Sequence, residues 1–323
     1  MKLKRNILII LFLVIAIGLG AVIYLVPGIA SMLTKTMTAE YGSFQVIDEI
    51  ECYVVRDEVV YLAADQGNIN YYIEQNSVIR KGSTVLEIAG DETVKAKDNR
   101  FGELTGKLGN AAVIHGGYQA EFSGVVSFYI DGYENYFTPA GIPELKYDEV
   151  SSQNYEAENL VRKTAYFQEP LYKICRNNEW HLVAWVDGGV VSKYQIGSKV
   201  TVYLPKGDIK AKVSNIIQDG EKWQITLTTD RYYEDFAALR TLDATVLTSD
   251  YKGIVVPNES LAVVDGQVGV YVINKKNEKV FTKVKVLATD GKESCLAVEY
   301  YYDEAGNQVN TVDIYDELVR RPN

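Results

Sequence analysis

The sequence contains little of the two side chains that most often bind transition metals, since its 323 residues include only two histidines and three cysteines. The histidines, His115 and His181, are far apart, and no CxxC pair or denser group of ligands accompanies them. Metal sites in proteins usually need such close spacing. We therefore expect no metal site, and we expect His181, which follows Trp180 in a predicted strand, to be structural.

The three cysteines are widely separated and odd in number: Cys52, Cys175 and Cys295. This pattern favours buried, unpaired thiols, because a free cysteine behaves as a small apolar side chain. One disulfide with one leftover thiol is the alternative, and the spacing alone does not choose between the two states.

Positive charge is also scarce, with 33 Lys and Arg residues against 43 Asp and Glu residues and a net charge of −10. Proteins that bind DNA or RNA need a basic face. The charge balance therefore argues against a nucleic-acid partner, although it does not exclude a local basic patch.

The sequence lacks the short motifs of common enzymes, including GxSxG, a phosphate-binding glycine loop and a Ser–His–Asp order. Asp57, Glu58 and Glu103 are charged but isolated along the chain. Carboxylates that perform acid–base catalysis must meet in a pocket. We predict no catalytic residues and no cofactor, and a protein that is not an enzyme.

One long apolar run is present, Ile7–Val26, and it contains no charged residue. Twenty helical residues span about 30 Å, the thickness of the hydrocarbon core of a bilayer. Lys2, Lys4 and Arg5 precede the run, and the next charge is Lys35. This asymmetry places the N-terminus in the cytoplasm. We expect the run to cross the lipid bilayer once and the rest of the chain to be extracytoplasmic.

A cleaved signal peptide is the alternative to this anchor. Its apolar region would be about 7–15 residues long and would end at a small-x-small cleavage site. The run here is longer, and residues 27–33 stay largely apolar. We therefore favour an uncleaved, single-pass anchor in the cell membrane.

Beyond the anchor, short β-type runs alternate with turn residues, and the chain has 24 tyrosines, which favour strands. In Trp223–Thr229 and Val280–Leu287 apolar residues alternate with polar ones, as in half-buried strands. Pairs such as Asp219-Gly220 separate these runs and predict tight turns. We expect a mainly β fold, in which the one good helix candidate spans Asp148–Phe167.

An internal repeat indicates a symmetric unit. Gly67–Glu74 and Gly124–Asp131 share the order glycine, any residue, β-branched, polar, aromatic, tyrosine, isoleucine, acid. Two glycine-led halves predict a small sandwich with pseudo-twofold symmetry. We expect Gly67, Gly82 and Gly124 to occupy structural turns where a Cβ would be strained.

Several segments, in this order along the chain, resemble HlyD-type membrane fusion proteins, the periplasmic adaptor subunits of efflux and secretion systems. The first two resemble the halves of a lipoyl-like barrel-sandwich hybrid, the third the entry into a β-barrel domain, and the last the VPxxAL and VYVV segments of the family. The matching residues are Gly67, Ile69, Val78, Lys81-Gly82, Val85-Leu86 and Ile88, then Ala120–Val126, then Pro170–Ile174 and Trp180–Val183, then Val256–Leu261 and Gly269–Val272.

The resemblance implies an adaptor that assists a membrane transporter permease, for example of the ABC type, in export and that forms a homo-oligomer. At the N-terminus it predicts a cytoplasmic tail (1–6), a transmembrane helix (7–27) and a linker with a membrane-proximal strand (28–60). A barrel-sandwich hybrid (61–146) follows, interrupted by a connector (91–119). The rest of the chain is predicted to form a helical linker (147–170), a β-barrel domain (171–250) and a C-terminal membrane-proximal β domain (251–323).

The connector differs from that of the long adaptors, in which a helical hairpin of many heptads separates the two halves. Residues 91–119 contain five glycines and no sustained heptad, so they predict a short-hairpin form. Lys95 lies in a segment similar to the modified loop of lipoyl carriers, but we expect an ordinary solvated lysine. Because a short connector does not suit a distant outer-membrane channel, a membrane-tethered scaffold for envelope assembly or division, without a transport role, is the alternative function.

Overall fold

The computed structural model describes residues 35–90 and 100–322. The predicted tail, the transmembrane helix and Lys95 lie outside these residues. Among the helices that the structure does describe, none is both long enough and apolar enough to cross a bilayer. The described chain is mainly β, which confirms that part of the predicted fold class.

The strands in the first half of the chain are β1 (Thr36–Thr38), β2 (Tyr41–Leu62), β3 (Gly67–Tyr71), β4 (Val78–Ile79), β5 (Leu86–Gly90), β6 (Ala112–Ile114), β7 (Gly124–Ser127), β8 (Tyr129–Ile130), β9 (Glu158–Asn159) and β10 (Thr164–Ala165). Those in the second half are β11 (Pro170–Asp187), β12 (Lys199–Leu204), β13 (Gly207–Asp219), β14 (Lys222–Thr229), β15 (Thr241–Pro257), β16 (Ala262–Val264), β17 (Gln267–Ile273), β18 (Lys279–Lys283), β19 (Val286–Thr289), β20 (Glu293–Leu296), β21 (Tyr300–Tyr302), β22 (Gln308–Asn310) and β23 (Glu317–Val319).

Helices are short in the described chain. The α-helices are α1 (Gly102–Lys107), α2 (Tyr147–Ser151) and α3 (Gly188–Val191). The 3₁₀-helices span Gly109–Ala111, Pro139–Glu144 and Asn258–Ser260. The chain divides into a central unit (Ile47–Thr248) and a terminal unit, whose described residues are 35–46 and 249–322.

The central unit contains a β-barrel. Its neighbouring strands are β15, β12, β13, β14, β11 and β2, in that order, and each consecutive pair is antiparallel. β2 and β15 again lie side by side, where the Val54 amide donates to the Arg240 carbonyl at 2.7 Å, so the barrel closes. The barrel core follows from side-chain alternation along its strands. Val200 and Val202 of β12 and Ile209 and Ala211 of β13 are buried, and the residues that alternate with them are exposed or half-buried.

The two copies of the repeat lie in a second region of the central unit, beside the barrel strand β11. The first copy forms β3, which pairs with β5 and β10. The second copy forms β7 and β8, and β7 pairs with β4 and β11. Their shared core includes Tyr61 and Tyr172, whose rings stack with centroids 4.7 Å apart. The first copy therefore supplies one strand and the second copy two, and the copies pair with different neighbours.

The terminal unit is also a β structure. β1, β23, β17 and β16 form one sheet in that order, and β18 pairs with β17. β20 pairs with β19 and with the Ile254–Pro257 end of β15. Its core is aliphatic and includes Val270, Val312 and Leu318. Gly269 lets β18 approach β17 closely, because a Cβ there would lie 2.4 Å from the Phe281 ring.

The predicted helix at Asp148–Phe167 is wrong over most of its length. Helix α2 ends at Ser151, and the later residues form β9, which pairs with β8, and β10, which pairs with β3. Serine and asparagine after Val150 hydrogen-bond to nearby backbone groups and so disfavour a continued helix. Strand pairing within the central unit therefore determines the structure of the predicted helical linker.

The described part of the connector, residues 100–119, contains α1, one 3₁₀ turn and β6. β6 pairs in parallel with the end of β2, with Val60 opposite Ala112. Phe101 and Leu108 on either side of α1 are buried with Val60 and Ile130. The described part of the connector, residues 100–119, thus packs within the central unit and forms no extended helical arm.

Candidate functional site

The central unit buries a group of ionisable side chains, which we call the ionic network. Its acids come from β2 and from the turn after β8, and its bases come from β2, from β11 and from the residue before β15. The members are Arg56, Glu58, Asp131, Glu134, Lys173 and Arg240. Each is at most 5% exposed, so the three positive and three negative charges must compensate one another without water.

Glu58 is the centre of the network. Its Oε2 lies 2.8 Å from Arg56 Nε and 2.8 Å from Lys173 Nζ, and its Oε1 lies 2.7 Å from Arg240 Nη2. Arg56 and Glu58 are two residues apart on β2, so they share one face of the strand. One carboxylate therefore binds three cations that come from three different strands or strand ends.

Arg240 connects the network to the second repeat copy. Its Nε lies 2.7 Å and its Nη2 3.1 Å from the two Asp131 oxygens, an arrangement in which two N–H groups donate to one carboxylate. Its Nη1 donates to the Val54 carbonyl at 3.0 Å, and the guanidinium lies 4.9 Å from the centroid of the Phe137 ring. The donors of Arg240 thus join β2, the turn after β8 and the start of β15.

The turn after β8 is shaped by its own acids. Glu134 accepts hydrogen bonds from the Asp131 and Gly132 amides at 3.1 and 3.0 Å, and Asp131 accepts from the Tyr133 amide at 2.9 Å. Lys173 then donates to Glu134 Oε1 at 3.1 Å. The turn is therefore held by hydrogen bonds among its own residues and, in addition, by the bond from Lys173 on β11.

Arg56 extends the network to the loop before β15. Its Nη1 donates to the Phe236 carbonyl at 2.6 Å and also to the Leu239 carbonyl. Cys175 Sγ lies 3.6 Å from Glu58 and 3.8 Å from the Ala237 carbonyl. These contacts place the 236–239 loop against β2 and β11.

The charges in the network shift one another's proton affinity. Burial alone would raise the pKa of Glu58, but Arg56, Lys173 and Arg240 outweigh it and hold that pKa well below its usual value. Burial also opposes ionisation of Asp131, and Arg240 nevertheless lowers its pKa. Burial lowers the proton affinity of Lys173, yet Glu58 raises its pKa overall. Glu58 and Asp131 are therefore ionised and Lys173 is charged at neutral pH.

Glu134 differs from the other two acids. Burial raises its pKa, and Lys173 offsets this only in part because Asp131 and Glu58 add negative charge nearby. The Cys175 thiol is likewise buried, and burial followed by the Glu58 charge raises its pKa to about 12. A thiol with that pKa is not a nucleophile at neutral pH. The arrangement fixes backbone segments relative to one another and offers no reactive group.

The ionic network predicts loss of stability in acid. The folded-state pKa values of Glu58 and Asp131 are below their unfolded values, so their contribution is complete above about pH 5 and is lost as the pH falls toward their folded values. Glu134 acts in the opposite sense, because its raised pKa makes the folded state take up a proton first. We expect a net decrease in the free energy of unfolding between pH 6 and pH 3, measured by urea denaturation. A flat profile would contradict this assignment.

The predicted structural glycines occupy different environments. Gly67 begins β3 with φ of +155°, and Gly82 lies in the turn before Ser83 with φ of +85°, a conformation that favours glycine. Gly124 lies in β7, not in a turn. A Cβ at Gly124 would lie 2.4 Å from the Cys175 carbonyl oxygen and 2.7 Å from Ile174 Cγ2, so close strand approach is the reason for glycine there.

The histidines and cysteines also have defined positions. His181 is buried on β11, and its Nδ1 lies 2.8 Å from Thr228 Oγ1. Burial lowers its pKa. His115 lies 3.9 Å from Glu121, far along the chain from His181. The cysteines are buried and unpaired, in agreement with the favoured state.

The ionic network is the feature that sequence reasoning missed, because Glu58 was interpreted as an isolated charge. A signal was present in β2, where Arg56, Asp57 and Glu58 interrupt the apolar residues Tyr53–Val55 and Val59–Tyr61. Charges inside such a run are rarely buried unless they are paired. Their partners, however, come from residues up to 182 positions away.

Two family models match the central unit. Residues 58–175 match the RND related, barrel-sandwich hybrid domain, and residues 180–250 match the RND related, beta-barrel domain. Together they cover more than half of the chain. The central unit therefore contains an RND-related barrel-sandwich hybrid domain and an RND-related β-barrel domain, and the resemblance to HlyD-type membrane fusion proteins is confirmed.

Solved structures with similarity to the chain include three from bacteria. MacA from Actinobacillus actinomycetemcomitans is 10% identical, with 89% of this chain and 100% of that chain covered and a TM-score of 0.41. ZneB from Cupriavidus metallidurans is 12% identical, with coverage of 89% and 92% and a TM-score of 0.31. The membrane fusion protein Spr0693 from Streptococcus pneumoniae R6 is 11% identical, with coverage of 63% and 98% and a TM-score of 0.29. A search of curated proteins finds no match.

Proposed function

We propose that this protein is a membrane-anchored, extracytoplasmic adaptor that assists a membrane transporter in export. The observation that carries the proposal is the match of consecutive chain segments to RND-related barrel-sandwich hybrid and β-barrel domains. The ionic network supports a positional role, because it joins both matched segments through buried charges. Residues 7–26 would anchor the chain in the lipid bilayer.

The mechanism we propose depends on fixed geometry. Glu58, Asp131 and Lys173 belong to the segment matched by the first domain, and Arg240 belongs to the segment matched by the second. Their mutual bonds resist separation of the two segments, because breaking one pair would leave an uncompensated buried charge. An adaptor built this way would hold its binding surfaces beside a permease, for example of the ABC type, and would assemble as a homo-oligomer without any covalent step or nucleic-acid partner.

Affinity purification tests the transporter partner. Tagged full-length protein would be extracted from its own membrane in a mild detergent, and co-purifying proteins would be identified by mass spectrometry. Recovery of a transporter permease in near-stoichiometric amount is the expected result. Recovery of wall-synthesis or division proteins without any permease would overturn the export role.

The second candidate function, a membrane-tethered scaffold for envelope assembly or division, is supported by the connector. Residues 100–119 fold back onto the central unit through β6 and the buried Leu108, and so provide no long arm in that segment. A scaffold would need no reach toward a distant channel. The same purification distinguishes the two functions by the identity of the recovered partner.

The proposed membrane topology gives a separate prediction. The three native cysteines are buried and Lys81 is exposed, so Lys81→Cys should react with a membrane-impermeant maleimide on intact cells. Lys2→Cys, on the proposed cytoplasmic side, is the matched control and should react only after the membrane is opened. The reverse labelling pattern would contradict the topology.

A further inference from the structure

The outer face of the barrel carries a basic surface on an otherwise acidic protein. We call this surface the cationic groove. Its positive residues are Lys199 on β12, Lys210 and Lys212 on β13, and Arg231 after β14. All four are exposed. The segment matched as the β-barrel domain has eight Lys and Arg residues against nine Asp and Glu residues, so most of the net charge of −10 lies elsewhere.

Strand register brings the lysines together. Lys199 lies directly opposite Lys212, and Lys210 lies opposite Thr201, whose hydroxyl accepts a hydrogen bond from Lys210 Nζ at 2.6 Å. Like charges directly opposite on a sheet destabilise it. Among the ion pairs of residues 35–90 and 100–322, none includes these three lysines, whereas Arg231 lies 3.4 Å from Asp230. These three lysines therefore have no ion-pair partner in the described part of the chain, although Glu179 and Asp230 also line the groove.

The groove is concave and its lining is mostly polar. Two adjoining pockets of about 540 and 430 Å³ share Glu179, Lys212 and Thr228 as lining residues. Thr228 Oγ1 donates to Ser214 Oγ at 2.8 Å, and Ser214 Oγ donates to the Thr226 carbonyl at 3.1 Å, so the lysines are the donors available to a ligand here. Lysine binds phosphate as a point charge, with no fixed orientation of the anion. Because the lysines lie at neighbouring positions on two paired strands, they suit a polymer that carries a negative charge on each repeating unit.

The lining of the groove narrows the class of ligand. Of the described residues that form it, none is Phe, Tyr or Trp, so it lacks the rings on which bases of single-stranded nucleic acid stack. The large apolar side chain in its lining, Ile142, is only 5% exposed, so this mostly polar surface also does not suit insertion into a lipid surface. A flexible anionic chain without bases fits both observations.

We propose that the cationic groove binds a linear, base-free phosphate polymer. Lys199, Lys210 and Lys212 contact successive phosphates. Binding releases counterions from the polymer and is therefore salt-dependent. This surface lies outside the ionic network, and its role does not depend on a transporter partner.

Binding of inorganic polyphosphate to the full-length protein in detergent tests the proposal. The variant Lys199→Gln/Lys210→Gln/Lys212→Gln is expected to bind roughly 10- to 100-fold more weakly at low salt. The slope of log K against log salt should become shallower by about 2, since each phosphate contact contributes about 0.7 on a single strand. Fluorescence anisotropy of a labelled polyphosphate measures both quantities.

The matched control is Lys275→Gln/Lys276→Gln/Lys279→Gln, which removes three exposed lysines from the β17–β18 hairpin and changes the net charge equally. It should bind polyphosphate like the wild type. Equal weakening by both variants would show a non-specific charge effect and overturn the proposal. So would binding to phosphatidylglycerol vesicles without polyphosphate binding, or a loss of self-association in the groove variant with unchanged polyphosphate affinity.

Discussion

Replacing Arg240 with methionine is expected to lower the free energy of unfolding by about 3–5 kcal/mol. The substitution keeps a long side chain but removes the donors that Asp131 and Glu58 share, at 2.7 Å each. Both carboxylates would then remain buried with less compensation, and desolvation of an unpaired charge is costly. Urea denaturation of the full-length protein at pH 7 measures the effect.

The control for this prediction is Arg80→Met. Arg80 is exposed and takes part in no ion pair among the described residues. Surface substitutions of this kind usually change stability by less than about 0.5 kcal/mol. If the two variants unfolded at the same urea concentration, the ionic network would not hold the central unit together.

Gly124→Ala is expected to cost at least about 2–3 kcal/mol, the upper range for overpacking. The new methyl carbon would lie 2.4 Å from the Cys175 carbonyl oxygen, which is backbone and cannot rotate away. β7 would have to separate from β11, where Val125 lies opposite Cys175. Thermal unfolding should show a lower midpoint, and hydrogen exchange should show faster exchange in β7.

Gly116→Ala is the matched control, because a Cβ at Gly116 would meet no atom within 4 Å and its φ is not positive. It should be neutral or slightly stabilising, since alanine restricts the unfolded chain. An equal loss of stability in both variants would contradict the close approach of β7 to β11.

Side-chain alternation made strands predictable from sequence, but it did not show which faces are buried, since in β14 the polar Gln224 and Thr226 are buried as well as Ile225 and Leu227. Trp223–Thr229 shows this pattern and lies within β14. The helix predicted at Asp148–Phe167 was wrong because the prediction relied on the charged residues near its ends. Those charges carry no information about strand pairing, and Thr164 in fact lies opposite Asn68 in a sheet. Local propensity is a weak prior where distant strands offer hydrogen bonds.

The ionic network was not predictable in the same way. Arg56 and Glu58 are neighbours in sequence, but Lys173 and Arg240 reach Glu58 only after the barrel closes. Gly124 is a similar case. The repeat in the sequence showed that glycine recurs at this position, but the close approach of Gly124 to Cys175 is seen only in the folded structure. The sequence thus indicated positions where a charged residue or a glycine is unexpected. The contacts in the folded structure explain why those residues are there.

Site-specific photocrosslinking in the native membrane tests the central claim most directly. A photoreactive phenylalanine derivative would replace Tyr72 in the central unit or Tyr315 in the terminal unit, which are 56% and 81% exposed. Light-dependent products would be identified by mass spectrometry, with unirradiated cells as the control. The adaptor account predicts a transporter permease among the major products from at least one position. Products that contain only wall-synthesis or division proteins would contradict it and favour the scaffold.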